Sequence, residues 1–184
     1  IDNTDDQRGS SLSPDGRWLV TGGNTRFVQT LDVETGKAVS PPFQHQRSVT
    51  RRSFHPTMPW VLSASFDGTA VVWGATTGVP VFPSIPHGSF VLSAAFSPEG
   101  RRLLTGCSDG TVRLWELPPS DPNERSYHLS SGIRSLAWSP DGRALLIGGK
   151  GGTLTLMDLE KPSAPVWEEN VGSVLVAADY SPDG

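Results

Sequence analysis

The sequence contains a single cysteine, Cys107, so it cannot build an internal disulfide framework, and this excludes the small disulfide-rich secreted domains. No apolar run approaches the roughly 18 residues of a membrane-spanning helix. Lysine is scarce, and a net charge of −4 without any long block of like charges offers no general attraction to nucleic acid. We therefore expect a cytoplasmic protein that binds neither nucleic acid nor a membrane.

Motifs that would fix a metal or a cofactor are missing from the sequence too. It has no CxxC, HxH or HExxH spacing. Several side chains that could serve as ligands stand far apart along the chain: His45, His87, Cys107 and His128. We therefore predict no metal site and no cofactor.

Helical periodicity is absent as well, whereas proline recurs at a fixed interval. Five prolines are spaced 42 residues apart, and four of them stand in Ser-Pro-Asp-Gly or Ser-Pro-Glu-Gly turns: Pro14, Pro56, Pro98, Pro140 and Pro182. A large apolar residue follows each of the first four prolines after 17 residues: Leu31, Trp73, Trp115 and Met157. A fixed period of this size indicates a repeat architecture rather than a fold built around one active site.

Each repeat has the short apolar segments and frequent turn signals that are typical of four β-strands. In the second repeat we predict strands at residues 48–54, 60–65, 69–73 and 79–82, and in the third at residues 90–96, 102–107, 111–115 and 125–129. Prolines gather in the fourth segment or just before it. Because proline has no N–H to donate to a neighbouring strand, the fourth strand is expected at the edge of each sheet.

Two stretches carry a family resemblance. The sequence FSPEGRRLLTGCSDGTVRLWE, residues 96–116, resembles a WD40 repeat, and SFHPTMPWVLSASFDGTAVVWG, residues 53–74, is nearly as similar. The resemblance implies an all-β fold of β-propeller blades, each with four antiparallel strands. We expect about four blades plus one extra strand: an N-terminal tail at residues 1–10, blades at 11–44, 45–86, 87–130 and 131–170, and the first strand of a fifth repeat at 171–184.

The resemblance also implies a hydrogen-bonded chain of Trp, Ser or Thr, His and Asp side chains within one blade. The matching residues are His45, Ser63, Asp67 and Trp73 in the second repeat, and His87, Thr105, Asp109 and Trp115 in the third. A buried aspartate needs donors, and such a chain satisfies each of its polar groups. Since the resemblance assigns these residues to blade interiors, we interpret them as structural and predict no catalytic triad.

Function is expected from surfaces. Proteins that resemble this chain commonly bind partners on the face that carries the loops between second and third strands. The resemblance implies that this face carries the following residues: Phe66, Phe90, Leu92, Arg134 and Lys150. Apolar side chains beside cations have the composition of a binding hot spot, although Phe66 and Phe90 packing against neighbouring blades is the alternative. We predict a non-enzymatic scaffold that presents a docking face to a protein or peptide.

Two further interpretations concern the class of protein. The sequence is similar to the bacterial WD40 arrays that are appended to signalling proteins such as serine/threonine kinases, which would make it the docking half of a multidomain protein. The competing class is an enzymatic propeller, a hydrolase or lactonase with its site in the central channel. Such a site needs several His, Asp or Glu side chains, whereas the predicted innermost strands offer mainly Ser, Ala, Arg51 and Asp179.

The ends of the repeat series suggest that the chain does not close a propeller alone. An apolar segment at residues 172–181 follows the fourth repeat, and Gln7 stands where later repeats have Val49, Val91 and Ile133. One interpretation is a fragment whose remaining blades belong to a longer chain. The other is a homodimer that closes an eight-bladed ring, in which residues 172–181 of one copy supply the innermost strand of blade one in the other.

Overall fold

The computed structural model describes residues 10–22, 25–117, 125–161, 165–172 and 177–181. These described residues form sixteen β-strands and no helix, and the strands are arranged as four sheets of four. Within each sheet the antiparallel strands follow one another in chain order. The predicted all-β fold with four four-stranded blades is therefore confirmed.

The first two sheets lie in one compact unit, residues 1–91. The first sheet contains β1 Ser11–Leu12, β2 Trp18–Thr21, β3 Phe27–Asp32 and β4 Phe43–Gln44. The second contains β5 Val49–Phe54, β6 Trp60–Ser65, β7 Thr69–Gly74 and β8 Ile85–Pro86. In their apolar core the Phe43 and Trp73 rings stack with centroids 5.0 Å apart. The connection after β4 is thus anchored in the core where it leaves the first sheet.

The second unit, residues 92–184, holds the other two sheets except for the first residue of β9. The third sheet contains β9 Val91–Phe96, β10 Arg102–Cys107, β11 Thr111–Glu116 and β12 Arg125–His128. The fourth contains β13 Ile133–Trp138, β14 Ala144–Gly149, β15 Thr153–Asp158 and β16 Trp167–Asn170. Ile147 and Met157 are buried in the core of this unit. Apolar packing therefore replaces polar contacts in the fourth repeat, since these two residues stand where the second repeat has Ser63 and Trp73.

The strand positions predicted for the second and third repeats are confirmed within one residue, with one exception. The strand predicted at residues 79–82 is wrong, because β8 comprises Ile85–Pro86 and an isolated bridge alone joins Trp73 to Pro80. Pro80 and Pro83 have no N–H for a continuous ladder, so regular pairing begins only after them. The prediction that the fourth strand lies at a sheet edge is confirmed in all four sheets.

The predicted fifth repeat begins after the fourth sheet. Of its residues, 173–176 and 182–184 lie outside the described part of the chain. The Ala178 N–H donates to Ser135 Oγ at 3.1 Å, and the Ser135 hydroxyl donates to Ala178 O at 3.2 Å. The described part of this segment is therefore attached to β13.

Candidate interaction site

Four side chains associated with the second sheet form a continuous hydrogen-bonded chain. His45 lies between β4 and β5, Ser63 on β6, Asp67 in the β6–β7 turn and Trp73 on β7. Trp73 Nε1–H donates to Ser63 Oγ at 2.7 Å, and Ser63 Oγ lies 2.7 Å from His45 Nε2. His45 Nδ1 is 2.9 Å from Asp67 Oδ2. Because an ionised aspartate only accepts, Nδ1 carries the proton, and the neutral ring accepts the Ser63 hydroxyl hydrogen at Nε2.

Burial and hydrogen bonding set the charge state of this chain. Burial lowers the pKa of His45, although the charge of Asp67 opposes the effect. Burial alone would raise the pKa of Asp67, but hydrogen bonds from the Thr69 hydroxyl, the Gln46 N–H and His45 lower that pKa on balance. A neutral histidine therefore donates to an ionised aspartate.

The same geometry keeps the Ser63 hydroxyl out of reach of any substrate. Ser63 is completely buried, and its oxygen contacts both Trp73 and His45. A hydrolytic nucleophile needs an exposed hydroxyl beside an oxyanion hole. The chain of side chains acts instead as a connector, which joins the β4–β5 connection to the β6–β7 turn.

The third repeat contains the tryptophan end of the same arrangement. Trp115 Nε1–H donates to Thr105 Oγ1 at 3.1 Å. Asp109 Oδ1 accepts from the Thr111 N–H at 3.0 Å, as Asp67 Oδ1 accepts from the Thr69 N–H at 2.9 Å in the second repeat. The aspartate thus closes the turn between second and third strands in both repeats.

Two other histidines lie near the third sheet in the sequence. His87 belongs to the first unit, where its Nδ1 is 3.1 Å from Ile85 O. On β12, His128 Nδ1 lies 3.3 Å from Thr111 Oγ1. Sequence reasoning did not predict the His128 contact, although its distance of 41 residues from His87 nearly equals the repeat length and is a usable signal.

Two aromatic side chains and one arginine form a surface on the first unit, which we call the loop surface: Arg47, Phe66 and Phe90. Phe66 lies in the β6–β7 turn and Phe90 between β8 and β9, and their rings meet edge to face with centroids 5.6 Å apart. Phe90 remains 44% exposed. The Arg47 guanidinium carbon lies 5.9 Å from the centre of the Phe90 ring, within range of a cation–π interaction. Arg47 was not predicted, because the family pattern does not fix the loop that carries it.

The other predicted surface residues belong to the second unit. Arg134 on β13 and Lys150 in the β14–β15 turn are exposed, and Leu92 on β9 is half-buried. The Lys150 N–H donates to Gly132 O at 2.7 Å, which holds that turn against the start of β13. Lys150 occupies the repeat position of Phe66, and Arg134 occupies that of Leu92.

Other kinds of site are absent from the described residues. No group of three His, Cys, Asp or Glu side chains among them is arranged to hold a metal ion. No helix long and apolar enough to cross a membrane occurs in the same ranges. On β5, Arg52 is buried, and burial together with the charge of Arg51 lowers the pKa of its guanidinium.

Comparison with known families explains the repeating geometry. The model of the family described as WD domain, G-beta repeat, or WD40, matches residues 38–74, 79–116 and 123–158, together more than half of the chain. The chain belongs to the WD40 repeat family. The first match contains the complete side-chain arrangement from His45 to Trp73. Propellers of this family generally serve as interaction scaffolds that bind proteins or peptides, and membership supports a role of that kind for this WD40 chain.

Individual relatives agree with this assignment. The WD40 chain is 37% identical over 57 residues to LEC14B protein of Lithospermum erythrorhizon, covering 31% of this chain and 12% of the relative. It is 31% identical over 65 residues to cilia- and flagella-associated protein 52 of Sus scrofa, and this match covers 35% of this chain and 10% of the relative. The matched segments thus span about a tenth of these relatives.

A solved structure shows the same fold. The β-propeller domain of Cps50 (Swd1) from Myceliophteria thermophila superposes with a TM-score of 0.78 at 18% identity. The match covers 94% of this chain and 57% of the solved one. The likeness supports the propeller fold, and the WD40 chain spans little more than half of that solved chain.

Proposed function

We propose that this WD40 chain is a non-enzymatic scaffold that docks a protein or peptide on the loop surface. The observation that carries the proposal is the contact of the exposed Phe90 with the half-buried Phe66, with Arg47 beside the Phe90 ring. Large aromatic side chains and arginine are the residues that contribute most to binding energy at protein interfaces. The partner segment that fits is an apolar side chain, which packs on Phe90, next to an acidic residue, which pairs with Arg47.

The loop surface has a rigid support. The Ser65 hydroxyl lies 3.1 Å from both Arg47 O and Ser48 O, and the Phe66 N–H donates to Ser48 O at 3.0 Å. These bonds fix the loop that carries Arg47 to the turn that carries Phe66. Since the surface is already ordered, a partner loses little free energy to ordering it.

The loop that carries Phe90 is held in a similar way. The Thr50 hydroxyl on β5 donates to Val91 O at 2.7 Å, directly after Phe90. The His45 and Asp67 side chains add a third connection beneath the surface. In this proposal the buried polar chain therefore positions the docking residues and does not itself contact the partner.

We propose further that the second unit has a docking face of its own, which carries Leu92, Arg134 and Lys150. The two exposed cations would pair with acidic residues of the partner, and such pairs weaken as salt screens them. Replacing both by glutamine should reduce the affinity of an acidic partner and remove most of its salt dependence. Unchanged affinity and salt dependence would restrict docking to the first unit.

A selected peptide tests the main proposal. Random peptides displayed on phage are selected on the whole chain, and the affinity of the best one is measured by fluorescence anisotropy. Phe90→Ala should weaken binding by about tenfold or more, because it removes the exposed aromatic anchor. Met58→Ala is the matched control, since Met58 is also 44% exposed but lies in the β5–β6 turn at the other end of β6.

Two results would contradict docking on the loop surface. One is equal peptide affinity for wild type and Phe90→Ala. The other is a loss of roughly 3 kcal/mol or more of stability in Phe90→Ala, the size expected for truncation of a core phenylalanine. That second result would assign Phe90 to packing, which is the alternative interpretation of this aromatic pair.

We also propose that a second copy covers the first sheet, whose first strand β1 is present but has only two residues, Ser11–Leu12. Leu12 on β1 is 56% exposed, whereas the residues at its position in the next three repeats, Phe54, Phe96 and Trp138, are 8–9% exposed. Trp138 shows how such a residue is covered within the second unit, since the guanidinium of Arg102 lies 4.9 Å from the centre of its ring. Residues 172–181 of another copy would cover Leu12 and close an eight-bladed ring.

A further inference from the structure

The outermost strand of the fourth sheet presents an unusual surface. All four residues of β16, Trp167–Asn170, are exposed. Among the described residues, nine large hydrophobic side chains are exposed, and three of them lie in the segment 166–171: Val166, Trp167 and Val171. Glu168 and Glu169 stand between them and are exposed as well. Apolar and acidic groups are therefore combined on one short extended segment.

This segment also has backbone groups that face away from its sheet. Among the described strands, β15 alone pairs with β16, in the register Thr153↔Asn170 and Leu154↔Glu169. The Val171 N–H donates to Gly152 O at 2.9 Å. Since inward and outward backbone groups alternate along an antiparallel strand, Glu169 also faces β15, and the N–H and C=O groups of Glu168 and Asn170 point outward.

The other fourth strands do not offer the same surface. β4 and β8 have two residues each, and β8 ends with Pro86, which has no N–H. β12 has four residues, but it carries the basic Arg125 and His128. An edge long enough to pair with a further strand and acidic at the same time is thus found on β16 among these four.

We propose that the edge of β16 binds an extended peptide as a fifth, antiparallel strand, and that this peptide carries two adjacent basic residues flanked by apolar ones. Outward backbone groups of Glu168 and Asn170 would supply the ladder. Glu168 and Glu169 lie on opposite faces of the strand, so neighbouring basic residues of the peptide would each find one carboxylate. Apolar residues at the ends would pack on Trp167 and Val171.

This edge is a separate site from the loop surface. It lies on the second unit and uses the ladder of a sheet edge, whereas the loop surface lies on the first unit and uses side chains from loops. Phe90→Ala should therefore leave binding at β16 unchanged. A failure of either site can be recognised without reference to the other.

A designed peptide provides the probe. The core Val-Thr-Lys-Lys-Val runs antiparallel to residues 167–171, so that its two lysines lie opposite Glu169 and Glu168. It is titrated into the isotope-labelled whole chain and followed by NMR and amide hydrogen exchange. At saturation the exchange of the Glu168 and Asn170 amides should slow by roughly tenfold or more, because these N–H groups become hydrogen-bonded. A peptide with glutamate in place of both lysines should bind at least about tenfold more weakly.

Variants separate the backbone contribution from the charge. Glu168→Gln removes one carboxylate and should weaken binding several-fold. Glu168→Pro removes the same carboxylate and also the outward N–H, but leaves every bond to β15, so binding should be lost. A peptide with N-methylated backbone amides should also fail to bind the wild-type chain, and this measurement does not depend on the folding of any variant.

Several outcomes would overturn the proposal. They are equal binding of the lysine and glutamate peptides, equal affinity of the Glu168→Gln and Glu168→Pro chains, and undiminished binding of the N-methylated peptide. Protection of the Glu168 and Asn170 amides that appears without peptide and rises with protein concentration would assign the edge to a second copy of the chain instead.

Discussion

The protonation equilibrium of His45 makes the stability of the first unit depend on pH. Burial lowers the pKa of its imidazole below the ordinary value of 6.5, so below pH 6.5 the unfolded chain binds a proton that the folded chain does not. This contribution is therefore lost as the pH falls through and below that value. Asp67 contributes to stability down to a lower pH than His45 does. Its pKa is lowered from 3.8, so its contribution is lost only in more acidic solution.

The prediction uses His45→Gln. At pH 7.5 the variant should be less stable by about 1–3 kcal/mol, because glutamine reproduces the bonds to Ser63 and Asp67 poorly. As the pH falls to 5.5, the wild type should lose stability relative to the variant, and the difference between them should shrink. Urea denaturation monitored by tryptophan fluorescence at several pH values measures both.

A second variant keeps the titrating group and serves as the control. Trp73→Phe removes the indole N–H that donates to Ser63 Oγ but retains His45. The variant should therefore be less stable than wild type by a constant amount between pH 5.5 and 7.5. A His45→Gln difference that grows on acidification would mean that the Asp67 charge outweighs burial.

The repeat register is what made these residues predictable. The 42-residue period and the family pattern together predict four positions, because a buried chain of polar side chains tolerates few residue types. These positions are His45, Ser63, Asp67 and Trp73. Arg47 was not predictable in the same way. Its contact with Phe90 depends on the path of a loop, and loop side chains are constrained by neither the strand period nor burial.

At the level of strands and turns, the alternating apolar pattern predicted nearly all of the second and third repeats. The failure at residues 79–82 has a specific cause. Val79 and Val81 are residue types that favour a strand, but Pro80 and Pro83 between and after them have no backbone N–H to donate. Regular pairing therefore begins only at Ile85–Pro86. Composition predicts which residues suit a strand, whereas proline decides where its ladder can form.

The β10–β11 turn gives a prediction at this scale. Gly110 has φ of +88°, and a Cβ there would collide with the carbonyl oxygen of Leu129 and lie 3.0 Å from that of Ser131. Gly110→Ala should therefore destabilise the second unit by roughly 3 kcal/mol or more, through both backbone strain and the clash. Urea denaturation measures the change.

Gly151 in the β14–β15 turn is the matched control. Its φ is +111°, but a Cβ there would meet nothing within 4 Å. Gly151→Ala should lower the free energy of unfolding through backbone strain alone, by on the order of 1–2 kcal/mol. If both substitutions cost the same, close packing of the β10–β11 turn against the segment after β12 contributes nothing to stability.

For the whole molecule, the sequence predicted the number of sheets but not how a propeller is completed. Each sheet follows from a local pattern of strands and turns, because repeats of this kind are stabilised within themselves and by their neighbours. Closure depends instead on small angles between successive blades, and no residue type encodes such an angle. The exposed Leu12 is the residue whose surroundings bear on the question, since its counterparts in the following repeats are buried.

Association of two copies is tested by light scattering coupled to size exclusion over a range of concentrations. If a second copy covers Leu12, the mass should be near twice the 19.7 kDa of one chain. Leu12→Asp should return the mass to one chain, because a dimer would have to bury the new carboxylate, while an already exposed position tolerates it in the single chain. Val79→Asp is the control, since Val79 is exposed in the β7–β8 connection, and it should leave the mass unchanged. A single-chain mass at every concentration, or a dimer that persists in Leu12→Asp, would contradict closure by a second copy and favour further blades in a longer chain.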